Sequence, residues 1–333
     1  MIIVDSYAVA VGLCVITMLC WGSWANTLKL ASREWPFPLY YWDYALGLVL
    51  TSLLLGLTLG SMGSEGRAFA PDLRQASGGA LVSAFLGGVV FNIANLLVVA
   101  AIDVAGLAVA FPVAIGLALV IGVVVNYVAT PLGSPVLLFA GVALVVAAIL
   151  VDARAYARLP SAKGATAKGL TLSVLAGLLM GFFYRCVAAA MITDFRSPQA
   201  GQLTPFSAML VFTSGVLLSN FLWNSFFMYR PVSGPPTTYG EYVTKGNLRL
   251  HLVGLLGGFI WCVGMTMSLI ASEQAGFAIS YGLGQGATMV AAAWGVFVWK
   301  EFAGAPAGTS RLIAAMFALF VTGLAMIIAA RLV

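Results

Sequence analysis

Charge is scarce in this chain. Only 8% of its residues are Asp, Glu, Lys or Arg, against 62% that are hydrophobic, where a soluble domain carries roughly 25% charged residues. This excludes a water-soluble globular protein. With no sizeable polar stretch between the apolar runs, it also excludes a separate soluble domain. Histidine occurs once, at His251. No Cys/His cluster, nucleophile elbow or GxxxxGK[ST] phosphate loop is present, so the groupings that metal, acyl-transfer and nucleotide chemistry require are missing. Cys14, Cys20, Cys186 and Cys262 all fall inside apolar runs, which suits buried thiols and not a disulfide framework or a zinc site. The N-terminal MIIVDSY has no basic region, so the first apolar run reads as a permanent span and not a cleaved signal. The net charge of +5 is scattered over short loops, a topology signal and not a nucleic-acid footprint.

What is abundant is apolar sequence in membrane-length runs. Ten spans are expected, at about 7–28, 38–59, 77–101, 104–130, 134–152, 169–192, 205–228, 250–271, 274–299 and 308–330, each long enough for a hydrocarbon core about 30 Å thick. Sliding the sequence by 170 residues lays Leu86-Gly87-Gly88 on Leu256-Gly257-Gly258, Asp103 on Glu273, Ala105-Gly106 on Ala275-Gly276, Ala108 on Ala278 and Gly116 on Gly286, without a gap. Internal duplication of this kind predicts an all-α integral membrane protein of ten transmembrane helices in two five-helix repeats. Residues 1–152 form the first repeat, 153–168 a cytoplasmic linker and 169–333 the second repeat. Tight helical hairpins are expected at Asp103 and Glu273.

The loops after spans 1, 3, 5, 7 and 9 hold eleven of the sixteen basic residues, among them Lys29, Arg33, Arg154, Arg158 and Lys163. The opposite face holds four: Arg67, Arg74, Arg196 and Arg331. The positive-inside rule therefore puts both termini outside the cytoplasm. Because five is odd, the second repeat then crosses the membrane inverted relative to the first. The longest loops, about 60–76 and 230–249, read as solvated surface connections.

Polar groups within spans are costly, about 2.5–3.5 kcal/mol for a charge, and so they face a cavity or one another. Two charges lie within spans: Arg185 in GLLMGFFYRCVAAAM, well inside span 6, and Asp43 in YYWDYALGLVL, in the first turns of span 2 and nearer the cytoplasmic face. Arg185 reads either as a donor to a solute or as a structural cation on backbone carbonyls. Asp43 reads either as a proton-coupling acid or as an interfacial carboxylate near Arg33 and the aromatic belt of Tyr40, Tyr41, Trp42 and Tyr44. Gly88, Asn92 and Asn95, at i, i+4 and i+7, set both amides on one face beside a glycine, where they clamp a polar solute or bond a neighbouring helix. Tyr281 and Gln285 stand one turn apart in Y-G-L-G-Q-G, and their first-repeat counterparts are Phe111 and Ile115; polarity in one copy alone points to an asymmetric site. Trp21, Trp24 and Trp261 offer indole faces for a flat heterocycle or the C–H face of a sugar, or else mark the membrane interface. Tyr184, beside Arg185, joins the candidate solute contacts. His251, at the start of span 8, reads as interfacial. No catalytic residue, metal or cofactor is expected.

Three stretches carry a family resemblance. VDSYAVAVGLCVITMLCWGSWANTLKLASREWPFPLYYWDYALGLVLTSLLLGLTLGSMG, with Trp42-Asp43, resembles the first two spans of the ureide permease family of the drug/metabolite transporter superfamily. GGVVFNIANLLVVAAIDVAGLAVAFPVAIGLALVIGVVVNY, with Asn95, is similar to spans 3 and 4 of that family. AGFAISYGLGQGATMVAAAWGVFVWKEF, with Gln285, Trp294-Gly295 and Glu301, is similar to its span 9. The resemblance implies the drug/metabolite transporter fold, ten helices as two inverted five-helix repeats, and secondary active uptake of a small uncharged solute such as allantoin, uracil or xanthine. The proton gradient would be the energy source. It implies a small-molecule solute and the lipid bilayer as partners, no nucleic acid, a monomer or weak homodimer, and a place in the bacterial inner membrane. Ser280-Tyr281 and Arg185 depart from the family's pattern. The glucose/ribose and L-rhamnose permease families are more remotely similar, so a proton-coupled monosaccharide permease is the alternative. An exporter of amphiphilic compounds and an intramembrane enzyme or receptor follow behind it.

Overall fold

The computed structural model describes residues 1–31, 35–160 and 164–333. Arg33 and Lys163, both counted above as basic loop residues, lie outside the described residues. An apolar chain that must satisfy its own backbone without water has the helix as its main solution. The described residues are helical almost throughout, with a single isolated bridge between Met191 and Leu203.

Helices α1 (Tyr7–Ser23) and α2 (Ala25–Ala31) run as one span joined at Trp24. Then come α3 (Phe37–Leu57), the short α4 (Phe69–Gln75), α5 (Gly78–Ala105), α6 (Leu107–Ala129), α7 (Pro135–Tyr156), α8 (Ala167–Ala190) and α9 (Pro205–Tyr229). The short α10 (Tyr239–Lys245) leads into α11 (Leu248–Ala275), and α14 (Thr309–Ala329) closes the chain. Among the described residues nine of these spans are long and apolar enough to cross a membrane, and the chain is an integral membrane protein. The expected span at 274–299 differs from the other nine. It is divided into α12 (Phe277–Gly284), α13 (Ala287–Ala293) and a π-helical turn, Trp294–Val298. Gly282, Gly284 and Gly286 each cost a helix up to about 1 kcal/mol relative to alanine. What they allow is close approach: a Cβ on Gly284 would stand 3.0 Å from the Trp21 ring, and one on Gly286 2.8 Å from Met18 Cε.

The offset of 170 residues recurs in the helix ends. α4 and α10 start and stop 170 residues apart, as do α5 and α11. Ser77 and Asn247 cap them alike, accepting from Ala80 N and Leu250 N. Gly106 and Gly276 end them alike, at φ 76° and 79°, in a left-handed conformation that suits glycine. The hairpin turns therefore lie at these glycines, and Asp103 and Glu273 sit in the last turn of the preceding helix. The loops read as plain surface connections each contain one short helix, α4 or α10.

Packing repeats with the halves exchanged. α5 packs on α8 and α9, and α11 packs on α1 and α3. A Cβ on Gly88 would meet Phe212 O at 2.0 Å and one on Gly215 would meet Phe85 O at 2.2 Å, so α5 and α9 touch backbone to backbone. Gly258 against Tyr44 O at 2.2 Å and Gly47 against Leu255 O at 2.4 Å form the same contact between α11 and α3. Small residues at the crossing are what permit it. α7 and α14 pack on each other.

Loops gather at two ends. At the Met1 end, the N-terminal ammonium donates to Glu65 O (2.7 Å), Ser134 N to Ala330 O (2.7 Å) and Phe195 N to Glu273 Oε1 (2.7 Å). At the Glu301 end, Lys29 and Tyr156 both bond Glu301, and Tyr242 bonds Asp43.

Candidate functional site

Midway along the bundle, rings from both halves meet. The Trp261 indole of α11 stacks on Trp21 of α1, centroids 5.6 Å apart at 12°, and on Phe212 of α9, 5.9 Å apart at 13°. Phe91 of α5 closes on it at 4.4 Å. One turn after Trp21, Trp24 lies 4.9 Å from Tyr44 of α3, which stacks in turn on Tyr41 at 5.2 Å. Glycines make the room: a Cβ on Gly264 would reach Trp21 Cδ1 at 2.9 Å, and one on Gly257 would reach the Tyr40 hydroxyl at 2.0 Å.

Two polar atoms in this group have no hydrogen-bond partner among the described residues, Trp21 Nε1 and the Tyr44 hydroxyl. Leaving such a buried group unsatisfied costs about 1–3 kcal/mol, so each is a position where a polar ligand gains a bond at no loss to the protein. Gln285 follows Gly284, which packs on Trp21; its side chain is 8% exposed and makes no hydrogen bond among the described residues. Asn95 donates to the Tyr41 hydroxyl at 3.2 Å. Of the residues singled out from sequence, the structure thus gathers Trp24, Trp261 and Asn95 around one aromatic group and sets Gln285 at its edge.

Others lie elsewhere. Asn92 Nδ2 donates to Val216 O (3.2 Å) and Ser219 Oγ (2.8 Å), tying α5 to α9, and its Oδ1 is left without a partner. It shares no hydrogen-bond partner with Asn95 among the described residues. Tyr184 bonds Ser268 (3.1 Å) and Ser280 (2.9 Å), and Tyr281 donates to Ala118 O (3.1 Å) while its ring fills the notch at Gly122. Both phenols are fully buried in helix contacts. Arg185 is half-buried, and its guanidinium makes no hydrogen bond or ion pair with a described residue.

Asp43 lies at the Glu301 end with three donors: Tyr242 OH at 2.5 Å, His251 Nδ1 at 2.9 Å and Trp35 Nε1 at 3.2 Å. Its side chain is 3% exposed, and that of His251 is 30% exposed. Burial, and then the bond to Asp43, hold the Tyr242 phenol well above the usual tyrosine range. His251 is therefore a strut between α11 and α3 and not merely an interfacial residue. Trp21, read from sequence with Trp24 and Trp261 as an indole face, joins them here, whereas Phe91 and Phe212 carry no signal in the sequence. The one signal for Tyr44 is its place in the Tyr40–Tyr44 aromatic run.

The sequence model of the ureide permease family matches residues 40–165 and 161–330. Ureide permease 4 of Arabidopsis thaliana is 24% identical over 99% of this chain and 98% of its own length. Ureide permease 2 of Arabidopsis thaliana is 23% identical over the same shares, and ureide permease 1 is 21% identical. A solved crystal structure of a protein superposes with a TM-score of 0.59 at 18% identity, covering 98% of this chain and 100% of that one, and supports the fold alone.

Proposed function

The chain belongs to the ureide permease family, and from that premise we propose that it carries small, flat, uncharged nitrogen-rich solutes of the ureide class across a membrane, binding them between its two halves. Its named relatives are permeases, so the activity is transport and not catalysis. The observation that carries the reading is the central aromatic group. Indoles from both halves stack on each other there, so a flat solute ring that parts them exchanges one stack for another, and the orphaned Trp21 N–H and Tyr44 hydroxyl stand ready for carbonyl oxygens. Allantoin, uracil and xanthine combine flat rings with such carbonyls. Gln285 and Asn95 supply amides at the rim.

In this reading the 170-residue duplication is an inverted pair of five-helix repeats, and the broken span at 277–298 completes the second. The reciprocal packing of α5 and α11 supports it. The solute is exposed alternately to either end as the halves rock, with both termini on the extracytoplasmic face. Asp43 takes up a proton and gives it back as the bonds to Tyr242 and His251 break and reform, which couples transport to the proton gradient.

The test is a thermal-shift screen of the purified protein with allantoin, uracil, xanthine, glucose, ribose and rhamnose, because a ligand that binds only the folded state raises apparent stability. Uptake into proteoliposomes follows for each compound that shifts the transition. Stabilisation by the nitrogen heterocycles is expected. Stabilisation by the sugars alone would move the assignment to monosaccharides, whose C–H faces also stack on indole.

A further inference from the structure

A cavity of about 210 Å³ opens at the Glu301 end between α1, α2, α5, α6, α7 and the broken span, with none of the central rings on its wall. Most polar groups on its wall are already partnered. Glu301 accepts from Lys29 and from Tyr156 OH at 2.6 Å. Asn26 accepts from Trp299 Nε1 at 2.6 Å, and Trp294 Nε1 donates to Ser23 Oγ at 2.8 Å. Asp152 is the exception. It lines the cavity, is more than nine-tenths buried at 8% exposure, and takes no hydrogen bond from any described residue. It lies within electrostatic reach of Glu301 and Tyr156. Among the described residues Lys29 is the one cation on this wall, beside the carboxyl groups of Asp152 and Glu301. A carboxylate in that position is costly unless donors reach it.

We infer that Asp152 is a second solute station at the Glu301 end, whose carboxylate receives the two parallel N–H bonds of a terminal ureido group. The inference rests on the ureide reading above and adds the chemical group that is recognised. A planar –NH–CO–NH₂ end points two N–H bonds the same way, and a carboxylate accepts such a pair through both oxygens, as it does from the fork of an arginine. Guanidinium compounds carry the same donor pair with a positive charge. Uracil has no terminal ureido group and lacks that parallel pair.

The experiment compares wild type with Asp152→Asn in titrations of the purified protein with allantoin, methylguanidine and uracil, each followed by thermal shift. An asparagine turns an N–H₂ toward the ligand's own donors, so allantoin affinity is expected to fall by about tenfold or more, while uracil affinity stays within about twofold. Methylguanidine binding weakened in parallel with allantoin would show that the donor pair is what Asp152 reads; methylguanidine indifferent to the substitution would overturn that. Equal loss of allantoin and uracil, or none of either, would overturn the inference and leave ureide transport standing. No binding of any ureide to wild type would remove both. If Asp152→Asn does not fold, Ala291→Phe fills the same cavity from an exposed wall position. It must then give the selective loss of allantoin, and unchanged allantoin binding would overturn the inference.

Discussion

Asp72 and Tyr242 occupy the same position of the 170-residue repeat, on α4 and α10, yet they hold opposite ends of the molecule in different ways. Asp72 is fully buried and accepts from Arg67 (2.9 Å), Thr204 N (2.8 Å) and Thr204 Oγ1 (2.9 Å). Arg67 continues to the carbonyls of Pro198, Gln199 and Gln202, and Arg196 bonds Asp5 and Glu65. The Met1 end is thus clasped by ion pairs that draw in loops from both halves. At the other end Tyr242 bonds Asp43 through one phenol, and the Lys29–Glu301 pair lies at the same end. Cavities open at both ends, of about 230 and 210 Å³ at the Glu301 end and about 360 Å³ beside Ile2–Ser6 at the Met1 end. α4 and α10 recur at the same offset, and the exchange of Asp for Tyr at one position separates a fully buried, ion-paired strut from a half-buried phenolic one.

The comparison is broken most completely at Asp43. Asp43→Asn is expected to abolish pH-driven accumulation in proteoliposomes while solute counterflow survives; accumulation at the wild-type level would remove Asp43 from the coupling. At the other end, Arg67→Ala leaves the Asp72 carboxylate buried without its cation and should cost about 3 kcal/mol, read as a lowered unfolding midpoint in detergent. Adding Asp72→Asn should restore part of that loss, and no restoration would show that Arg67 acts through the loop carbonyls instead.

The equivalence of the halves is sharpened by the glycines. Gly88→Leu and Gly258→Leu each drive a side chain into a facing backbone, at Phe212 and at Tyr44, and each should cost about 1–3 kcal/mol. Similar losses from the two are expected, and a large disparity would argue against a shared contact. Trp21→Phe keeps the stack but deletes the orphaned N–H. Solute affinity should fall by about tenfold, the worth of one good hydrogen bond, with the unfolding midpoint unchanged or higher; a lowered midpoint would mean the N–H has a partner within the protein.

The smallest effect concerns Tyr242. Its folded phenol titrates above the unfolded one, so the stability it contributes is fully present below pH 10 and is lost as pH rises beyond it. Tyr242→Phe should therefore cost about 1 kcal/mol near neutrality and flatten the alkaline limb of the stability profile. An alkaline limb unchanged by the substitution would assign it to other groups.

Much of this was legible before any coordinates. The offset of 170, read from matching glycines, pairs α5 with α11 because those glycines do the same work twice: they end a helix at positive φ or let two backbones touch. The short helices α4 and α10 lie in stretches that read only as loops. Trp24 and Trp261 were recognisable as ring faces. The fate of Asn92, Tyr184 and Tyr281 was not, since an amide or phenol inside a span reads the same whether it meets a neighbouring helix or a void. Asp152 escaped notice at the edge of the linker. Its neighbour Glu301 is close in space only because α7 and the end of the broken span converge, and no local pattern records that.

Sequence alone determined that the chain lives in lipid, that it is helical, and that a glycine pattern recurs in it at an offset of 170, because hydrocarbon thickness, backbone satisfaction and glycine geometry are local constraints written residue by residue. Tertiary structure decided which polar groups are spent and which are left open. That depends on what each helix faces, and a carboxylate such as Asp43 or Asp152 has its character set by whether three donors, or none among the described residues, reach it.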